Sequence, residues 1–269
     1  MGFQHVTVEY RDLVGWLWLD RPEKRNALSA DMWEDIPAAM SDLAADPGVR
    51  AVVVAGRGES FSVGIDLAML GSLRPAGRSG TESRMSLLHE IQRLQATVSA
   101  LADCPKPVIA AVHGFCLGAG IDLVTACDIR LAAADAIFSV RETRLALVAD
   151  VGTLQRLPTL VAPGHVAELV YTGRDIDARR AEKIGLVNEV YPDVASLHDA
   201  AQSLAEEVAA NSPLAVQGSK SVLRAGRDMS TEQALEHVAL WNAAFLHSND
   251  LAEALAAFAE KRQPDFTGT

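Results

Sequence analysis

The feature that most constrains the fold of this chain is a pattern that occurs twice: a strand-length apolar run, a glycine-rich turn and then a helix. Val49–Ala55 (VRAVVVA) leads into the turn GRGESFSVGIDL, and Val108–Val112 (VIAAV) leads into HGFCLGAG. Apolar runs of this length without polar alternation are typical of buried strands. The pattern therefore predicts an α/β fold in which buried strands alternate with helices.

The regions on either side of this pattern also have recognisable elements. Val6–Glu9 alternates between apolar and polar residues, and the strand-like stretch Val14–Leu19 follows it after a short turn-like segment, which predicts a β-hairpin. Ser29 precedes an amphipathic stretch over Ala30–Ala45, and a serine at this position can cap the first turn of a helix. Beyond Gly152 helical patterns dominate.

The size of the chain allows one large core. A length of 269 residues with 49% hydrophobic side chains predicts a single large domain, or a domain with an appended subdomain. A mean hydropathy of +0.12, to which many alanines contribute, leaves apolar surface that other subunits could cover. We therefore expect an oligomer. A segment rich in glycine, arginine and serine over Gly71–Gly80 is predicted to be a loop.

The charge and the cysteines limit the partners and the compartment. A net charge of −11 argues against nucleic acid or an anionic membrane as a partner. Three cysteines in apolar surroundings, without metal-type spacing, predict reduced core thiols and no metal site. Neither a signal peptide nor a membrane span is recognisable, and the last residues, DFTGT, are not a peroxisomal tripeptide. We therefore expect a cytoplasmic protein.

The glycine turns are candidate binding sites for an oxygen atom. Gly118, Ala119 and Gly120 lie where a strand ends and a helix begins, and the N–H groups in the first turn of a helix have no partner within that helix. Gly64 and Ile65 follow the first buried strand in the same way. Two such N–H groups could bind one oxygen and form an oxyanion hole. The alternative is that the glycines only allow tight turns.

Three carboxylates lie in the central stretch among apolar neighbours: Asp122, Glu142 and Asp150. Asp122 has the alternative interpretation of a carboxylate that interacts with a helix dipole or caps the helix. Glu142 has the alternative of a surface ion pair with Arg141 or Arg144. Asp150, within LALVADVG, is expected to have a raised pKa because its neighbours are apolar.

An ionised carboxylate beside a protonated one forms a general acid/base pair. Together with an oxyanion hole, such a pair favours enolate chemistry, in which one carbon loses a proton and another gains one. The chain has no G-x-S-x-G, P-loop or H-E-x-x-H motif, and its glycine turn does not complete G-x-G-x-x-G. These absences argue against several other enzyme classes and against a dinucleotide cofactor.

Several motifs in order resemble the crotonase family, also called the enoyl-CoA hydratase/isomerase superfamily. They are LDRPEKRNALS, FSVGIDL, HGFCLGAGIDLVTACDIRLAA, GLVNEV and FAEKR. The resemblance implies a core of ββα turns in a spiral over residues 1–195. It also implies a C-terminal helical subdomain over 196–269 that mediates trimerisation, and a homotrimer or a hexamer built as a dimer of trimers.

The resemblance also implies a substrate and a site. The substrate is an acyl-CoA thioester, with no separate cofactor, and its carbonyl oxygen is bound by the N–H groups of Ile65 and Ala119. The residues that the family pattern assigns to the CoA ester are Lys24, Arg25, Ala27, Leu28, Ser62, Gly64, Asp66, Leu67, Gly118 and Lys261, the last of them in the same subunit or a neighbouring one.

The three carboxylates distinguish between members of the family. Hydratases typically have glutamates at the first two positions and a small residue at the third, whereas here the residues are Asp122, Glu142 and Asp150. This combination resembles the Δ3,5-Δ2,4-dienoyl-CoA isomerases, which implies that Glu142 acts at C2 and Asp150 at C6 of the acyl chain, with Asp122 in support. A 2-enoyl-CoA hydratase of fatty-acid β-oxidation is the alternative, and a non-catalytic binding protein is a third possibility.

Overall fold

The structure is a computed structural model that describes residues 2–72 and 80–269, so most of the predicted loop over Gly71–Gly80 lies outside the described residues. In chain order the strands are β1 (Val6–Arg11), β2 (Val14–Leu19), β3 (Ala51–Gly56), β4 (Val108–Val112), β5 (Phe115–Leu117), β6 (Ile129–Ala133), β7 (Ile137–Ser139), β8 (Ile176–Asp177) and β9 (Glu189–Tyr191). The α-helices are α1 (Ala30–Ala45), α2 (Leu67–Ser72), α3 (Gly80–Asp103), α4 (Ala119–Ala126), α5 (Thr153–Arg156), α6 (Pro163–Thr172), α7 (Ala178–Lys183), α8 (Val194–Ala209), α9 (Pro213–Ala225), α10 (Thr231–Phe245) and α11 (Asn249–Glu260). Short 3-10 turns lie at Pro22–Lys24, Glu142–Leu145, Leu157–Thr159 and Gly226–Asp228.

The strands form two sheets. The larger sheet has the order β1-β2-β3-β4-β6-β9, in which β1 is antiparallel to β2 and each later pair is parallel. The smaller sheet has the order β5-β7-β8, with β5 parallel to β7. The predicted N-terminal hairpin is confirmed, and so is the helix over Ala30–Ala45, whose Met32 N–H donates to the Ser29 hydroxyl at 3.3 Å.

The pattern found twice in the sequence belongs to a longer repeat. After β3 the chain forms a parallel bridge at Ser62 before it enters α2, after β4 it forms β5 before α4, and after β6 it forms β7. The first strand of each pair joins the large sheet, whereas Ser62, β5 and β7 lie side by side. Because parallel strands end at the same edge, the residues that follow Ser62, β5 and β7 meet there.

Both faces of the large sheet are covered, which explains the uninterrupted apolar runs. Successive side chains of a strand point to opposite faces, and here one set lies in the main core with residues of α1, α3 and α4. The other set, which includes Trp16, Val53 and Ile109, packs with Leu197 and Ala201 of α8. Helix α8 is therefore part of the sheet's core.

The last three α-helices extend the chain beyond this core. The predicted domain boundary after residue 195 falls inside α8, so the helices that do not cover the sheet begin with α9 at Pro213. Two side chains of α9 connect it to the core: Lys220 pairs with Asp128 at 2.6 Å, and Arg224 pairs with Asp103.

A single glycine allows the chain to pass from the large sheet to the small one. Gly114, between β4 and β5, has a φ of +54°, and an added Cβ would lie 2.0 Å from the carbonyl oxygen of Glu59. A side chain would therefore meet both backbone strain and a direct clash. Close packing at this point keeps β5 beside the Ser62 segment.

We predict that Gly114→Ala lowers the free energy of unfolding by at least about 2 kcal/mol, because the backbone of Glu59 must move away from the new methyl group. Thermal unfolding would show a fall in the midpoint of several degrees. Gly164→Ala is the control, since a Cβ at this position in α6 has no atom within 4 Å. Equal midpoints for the two variants would contradict the prediction.

Candidate active site

Two backbone hydrogen bonds hold the glycine turns next to each other. The N–H of Ser62 donates to the carbonyl of Phe115 at 2.9 Å, and the N–H of Leu117 donates to the carbonyl of Ser62 at 3.0 Å. The turn that contains Ile65 and the turn that contains Ala119 therefore lie side by side. The close approach requires Gly64, because a Cβ there would lie 2.7 Å from the carbonyl oxygen of Leu117.

The N–H groups of Ile65 and Ala119 are both free to bind a ligand. Leu28 donates to the carbonyl of Gly64 at 2.8 Å and accepts from the N–H of Asp66 at 3.0 Å, so the N–H of Ile65, between them, faces away from Leu28. Ala119 is the first residue of α4. Within the described part of the chain neither N–H has an acceptor.

The two free donors are also close together. A Cβ on Gly64, the residue before Ile65, would lie 3.2 Å from the amide nitrogen of Ala119. The dipole of α4 adds partial positive charge at the same end. This arrangement fits the oxyanion hole that the sequence predicts.

The loop Arg21–Ser29 is attached to the first turn by a buried asparagine that the sequence analysis did not select. The side-chain amide of Asn26 donates to the carbonyls of Arg57 at 2.9 Å and Ser60 at 2.8 Å. The Ser62 hydroxyl donates to the carbonyl of Asn26 at 2.7 Å and accepts from the N–H of Gly64 at 3.1 Å. In the sequence, the only sign of this role of Asn26 is that an amide residue stands within a charged loop.

These contacts bring together most of the residues predicted to bind the CoA ester. Ala27, Leu28, Ser62, Gly64, Asp66, Leu67 and Gly118 lie on the loop and the two turns, with Lys24 and Arg25 exposed on the same loop. Asp66 has a different immediate partner, because Arg21 pairs with its carboxylate at 2.7 Å and lowers its pKa. Lys261 lies at the end of α11, and its side chain has no hydrogen bond or ion pair within the described residues.

Asp122 is fully buried in α4. One carboxylate oxygen accepts the N–H of Thr153 at 2.5 Å, while the other is buried without a hydrogen-bond partner among the described residues. Burial raises the pKa of Asp122 to about 6, and Thr153 and Arg156 oppose the shift. The carboxylate faces α5 rather than the N–H groups of its own helix, so it is not a helix cap. Thr153 was not predicted from the sequence.

Glu142 follows β7 and approaches the second glycine turn. Its Oε1 lies 3.6 Å from the position of a Cβ on Gly118, and its Oε2 is buried without a partner among the described residues. Burial, reinforced by the negative charge of Asp122, raises the pKa of Glu142 to about 7. The alternative of a surface ion pair is wrong, because Arg141 pairs with Asp175 at 2.7 Å and Arg144 donates to the carbonyl of Thr172.

Asp150 lies in the segment before α5. Its pKa is raised by partial burial, in the direction expected from its apolar neighbours in the sequence. The side chain is only partly desolvated, however, because the residue is exposed and so are Leu145, Leu147 and Val148. These apolar neighbours precede Asp150 on the surface of the chain and do not enclose it.

The arrangement has the groups that proton transfer next to a bound carbonyl requires. Two N–H groups can stabilise negative charge on an oxygen, and carboxylates with a pKa near neutrality can accept or donate a proton at physiological pH.

Among the described residues no cluster of histidine, cysteine or acidic side chains could hold a metal ion, and no helix is long and apolar enough to cross a membrane. His113 is a core residue, with Nε2 2.9 Å from the carbonyl oxygen of Gly58.

A separate cavity of about 590 Å³ lies at the opposite end of α4. It is lined by Thr125, Ala126 and Cys127 at the end of that helix and by residues of α9, with Arg156 at one side. None of the three carboxylates borders it. The cavity is therefore distinct from the region in which the carboxylates and the free N–H groups lie.

Comparison with known proteins identifies relatives over almost the whole chain. A family model described as Enoyl-CoA hydratase/isomerase matches residues 10–269. The peroxisomal Δ(3,5)-Δ(2,4)-dienoyl-CoA isomerase of Arabidopsis thaliana is 44% identical over 93% of this chain and 91% of its own length. The human mitochondrial Δ(3,5)-Δ(2,4)-dienoyl-CoA isomerase is 44% identical over 91% of this chain and 76% of its own length.

Solved structures agree on the fold. An enoyl-CoA hydratase from Bacillus anthracis has a TM-score of 0.90 at 34% identity, with 99% of this chain and 100% of that chain covered. Another from Mycobacterium tuberculosis has a TM-score of 0.86 at 33% identity, with 98% of this chain and 99% of that chain covered. The predicted crotonase-like α/β fold is thereby confirmed.

The predicted cytoplasmic location is contradicted by the relatives in the isomerase group, which are named as peroxisomal and mitochondrial enzymes. The prediction rested on reduced cysteines and on the absence of recognisable targeting segments. Reduced thiols do not distinguish these compartments from the cytoplasm, so cysteine usage could not have decided the question.

We predict that replacement of Glu142 by glutamine stabilises the protein more at pH 8 than at pH 5. The folded-state pKa, about 7, lies above the ordinary value of 4.5, so the wild type loses stability as the pH rises through this window and the neutral variant does not. The difference should grow by about 2 kcal/mol. Thermal midpoints at the two pH values measure it.

The control for this prediction is Glu182→Gln, which changes an exposed glutamate of α7. Its midpoint should differ from that of the wild type by the same small amount at both pH values. A pH-independent difference for Glu142→Gln would show that burial does not raise the pKa of this carboxyl.

Proposed function

This chain belongs to the enoyl-CoA hydratase/isomerase family, and from that premise we propose that it isomerises a 3,5-dienoyl-CoA to a 2,4-dienoyl-CoA. The observation that carries the proposal is the set of three acidic side chains, Asp122, Glu142 and Asp150, each with a raised pKa. Asp122 and Glu142 adjoin the turn that contains Ala119, and Asp150 is near enough for its charge to raise the pKa of both. The names of the isomerase relatives, at 40–44% identity for three of them, support the same reaction.

In the proposed reaction the thioester carbonyl oxygen accepts hydrogen bonds from the N–H groups of Ile65 and Ala119. Glu142, next to the Gly118 turn, removes a proton from C2, and the resulting negative charge spreads from the carbonyl oxygen through the conjugated system to C6. Asp150 donates a proton to C6. The chain of the product then has double bonds at C2 and C4, and exchange with solvent restores the two carboxyl groups.

The raised pKa values suit these roles. A general base whose pKa is near 7 is ionised in part at neutral pH and still basic enough to attract a proton. Asp122 supports Glu142 electrostatically, since its negative charge raises the pKa of Glu142.

We place the CoA portion of the substrate along the loop and turns that contain Lys24, Arg25, Ala27, Leu28, Ser62, Gly64, Asp66, Leu67 and Gly118. Lys24 and Arg25 are exposed there and would offer positive charge to the phosphates in an otherwise acidic protein. Lys261 would contribute from the same or a neighbouring subunit. CoA enters as part of the thioester, so the proposed chemistry uses no separate cofactor.

A 2-enoyl-CoA hydratase is the second candidate, because the solved structures with the same fold include proteins named enoyl-CoA hydratase. Two acidic side chains on a water molecule would suffice for that reaction. It would leave Asp150 without a role.

We also propose a homotrimer, or a hexamer of two trimers, assembled through the C-terminal helices. Several large apolar side chains of α9–α11 and the adjoining turn are strongly exposed in the single chain: Leu223, Leu235, Leu240, Phe245, Leu246, Leu255 and Phe258. Exposed apolar area on this scale marks an interaction surface. The division into a spiral core over residues 1–195 and a C-terminal helical subdomain over 196–269 belongs to the same proposal, in which α8 is the part of the subdomain that packs on the sheet.

The proposed reaction can be tested directly. Purified protein is offered 3,5-dienoyl-CoA and 2-enoyl-CoA in separate assays, and absorbance follows formation of the conjugated 2,4-diene or loss of the 2-enoyl chromophore. We expect rapid formation of the diene. Hydration of the monoene without diene formation would refute the isomerase and favour the hydratase.

A substitution tests the proposed role of Asp150 as the proton donor to C6. Asp150→Asn should reduce diene formation about 100-fold or more, because a general acid contributes at least this factor, while the KM for the CoA ester stays nearly unchanged. Asp175→Asn is a control, since Asp175 pairs with Arg141 on the surface. Normal turnover by Asp150→Asn would remove Asp150 from the mechanism.

The proposed trimer or hexamer can be tested in solution. Light scattering after size-exclusion chromatography should give the mass of three or six chains. Leu240→Glu, at a side chain that is 66% exposed in the single chain, should yield smaller species whose circular dichroism is unchanged. A monomeric wild type would contradict the proposed assembly.

A further inference from the structure

Asp150 is positioned through its backbone and not through its carboxylate. No other side chain bonds to the carboxylate within the described residues, whereas the side-chain amide of Gln95 in α3 donates to the Asp150 carbonyl oxygen at 2.6 Å. The two residues are 55 positions apart in the chain. Gln95 therefore connects a distant helix to the backbone that carries the Asp150 side chain.

The residues after Asp150 are held independently. Arg156 donates to the Val151 carbonyl at 3.4 Å and to the Ser99 hydroxyl at 2.9 Å, so it links the same segment to α3. Gly152 has a φ of +136°, and an added Cβ would lie 1.8 Å from Nη1 of Arg156. The segment folds tightly around this guanidinium.

On the opposite side the segment meets the buried carboxylate. The N–H of Thr153 donates to Asp122 at 2.5 Å. The backbone from Asp150 to Thr153 is therefore tied at three places, and the bond from Gln95 is the one that acts on Asp150 itself. The other two continue to hold the segment when that bond is removed.

We propose that Gln95 is a positioning residue that sets the location of the Asp150 carboxylate relative to the C6 end of the substrate. The inference rests on the proposed isomerase reaction and deepens it. Gln95 is exposed and its amide is not part of the core, so its main effect is local. A small displacement of a catalytic group lowers the rate of proton transfer much more than it lowers binding.

The test replaces Gln95 by leucine, which has a similar size but cannot donate a hydrogen bond. We expect kcat for diene formation to fall about 10-fold while KM changes less than about 2-fold. Gln92→Leu is the matched control, because Gln92 is an exposed glutamine of the same helix without a hydrogen bond in the described part of the chain. It should retain wild-type kcat.

A second measurement separates positioning of Asp150 from a general structural effect. In deuterium oxide, Glu142 removes a proton from C2, exchanges it with solvent and returns a deuteron to C2. Unreacted 3,5-dienoyl-CoA therefore gains deuterium without any action of Asp150. In Gln95→Leu this exchange should persist while diene formation slows. If exchange and diene formation are lost together, if KM rises as much as kcat falls, or if kcat is unchanged, Gln95 does not position Asp150.

The two proposals fail in different ways. A wild type that forms no diene from 3,5-dienoyl-CoA refutes the proposed function. An active wild type with an equally active Gln95→Leu variant refutes only the role of Gln95. A thermal midpoint within about 2 °C of the wild type is also expected, since the side chain is exposed.

Discussion

The candidate site depends on the two hydrogen bonds that join the Ser62 segment to β5. They bring together two turns that are separated by more than 50 residues, and one N–H of each turn has no acceptor among the residues that the structure describes. Gly64 is essential to this contact because a side chain would strike the carbonyl of Leu117. In the rest of the repeat, the first strand of each pair joins the large sheet, and this pairing holds the two turns next to each other.

The buried carboxylates of Asp122 and Glu142 lower the free energy of unfolding. Among the described residues, Asp122 and Glu142 each have an oxygen that is buried without a partner, and burial disfavours the ionised form of each, as the raised pKa values indicate. A buried polar group without a hydrogen bond opposes folding. Buried oxygens without partners, together with raised pKa values, are typical of a site at which protons are transferred.

Sequence reasoning and the structure disagree most clearly about the environments of the carboxylates. The apolar neighbours of Asp150 suggested burial, but they lie on the surface, and the more strongly shifted groups are Asp122 and Glu142. Parallel pairing of β5 with β7 places Glu142 next to Gly118, and α5 reaches Asp122 through Thr153. Both contacts join residues far apart in the chain, so no local pattern could reveal them.

By itself the sequence determined the elements and the chemical inventory: the buried strands, the hairpin, the helix that begins after Ser29, the glycine turns and the three carboxylates. These follow from local periodicity, capping and the conformational freedom of glycine, and the order of motifs identified the family. Only the tertiary structure decided which N–H groups are free, which oxygens are desolvated and which distant side chains, such as Asn26, Thr153 and Gln95, hold the site. Desolvation and hydrogen bonding depend on distances between segments, and those distances exist only when the chain is folded.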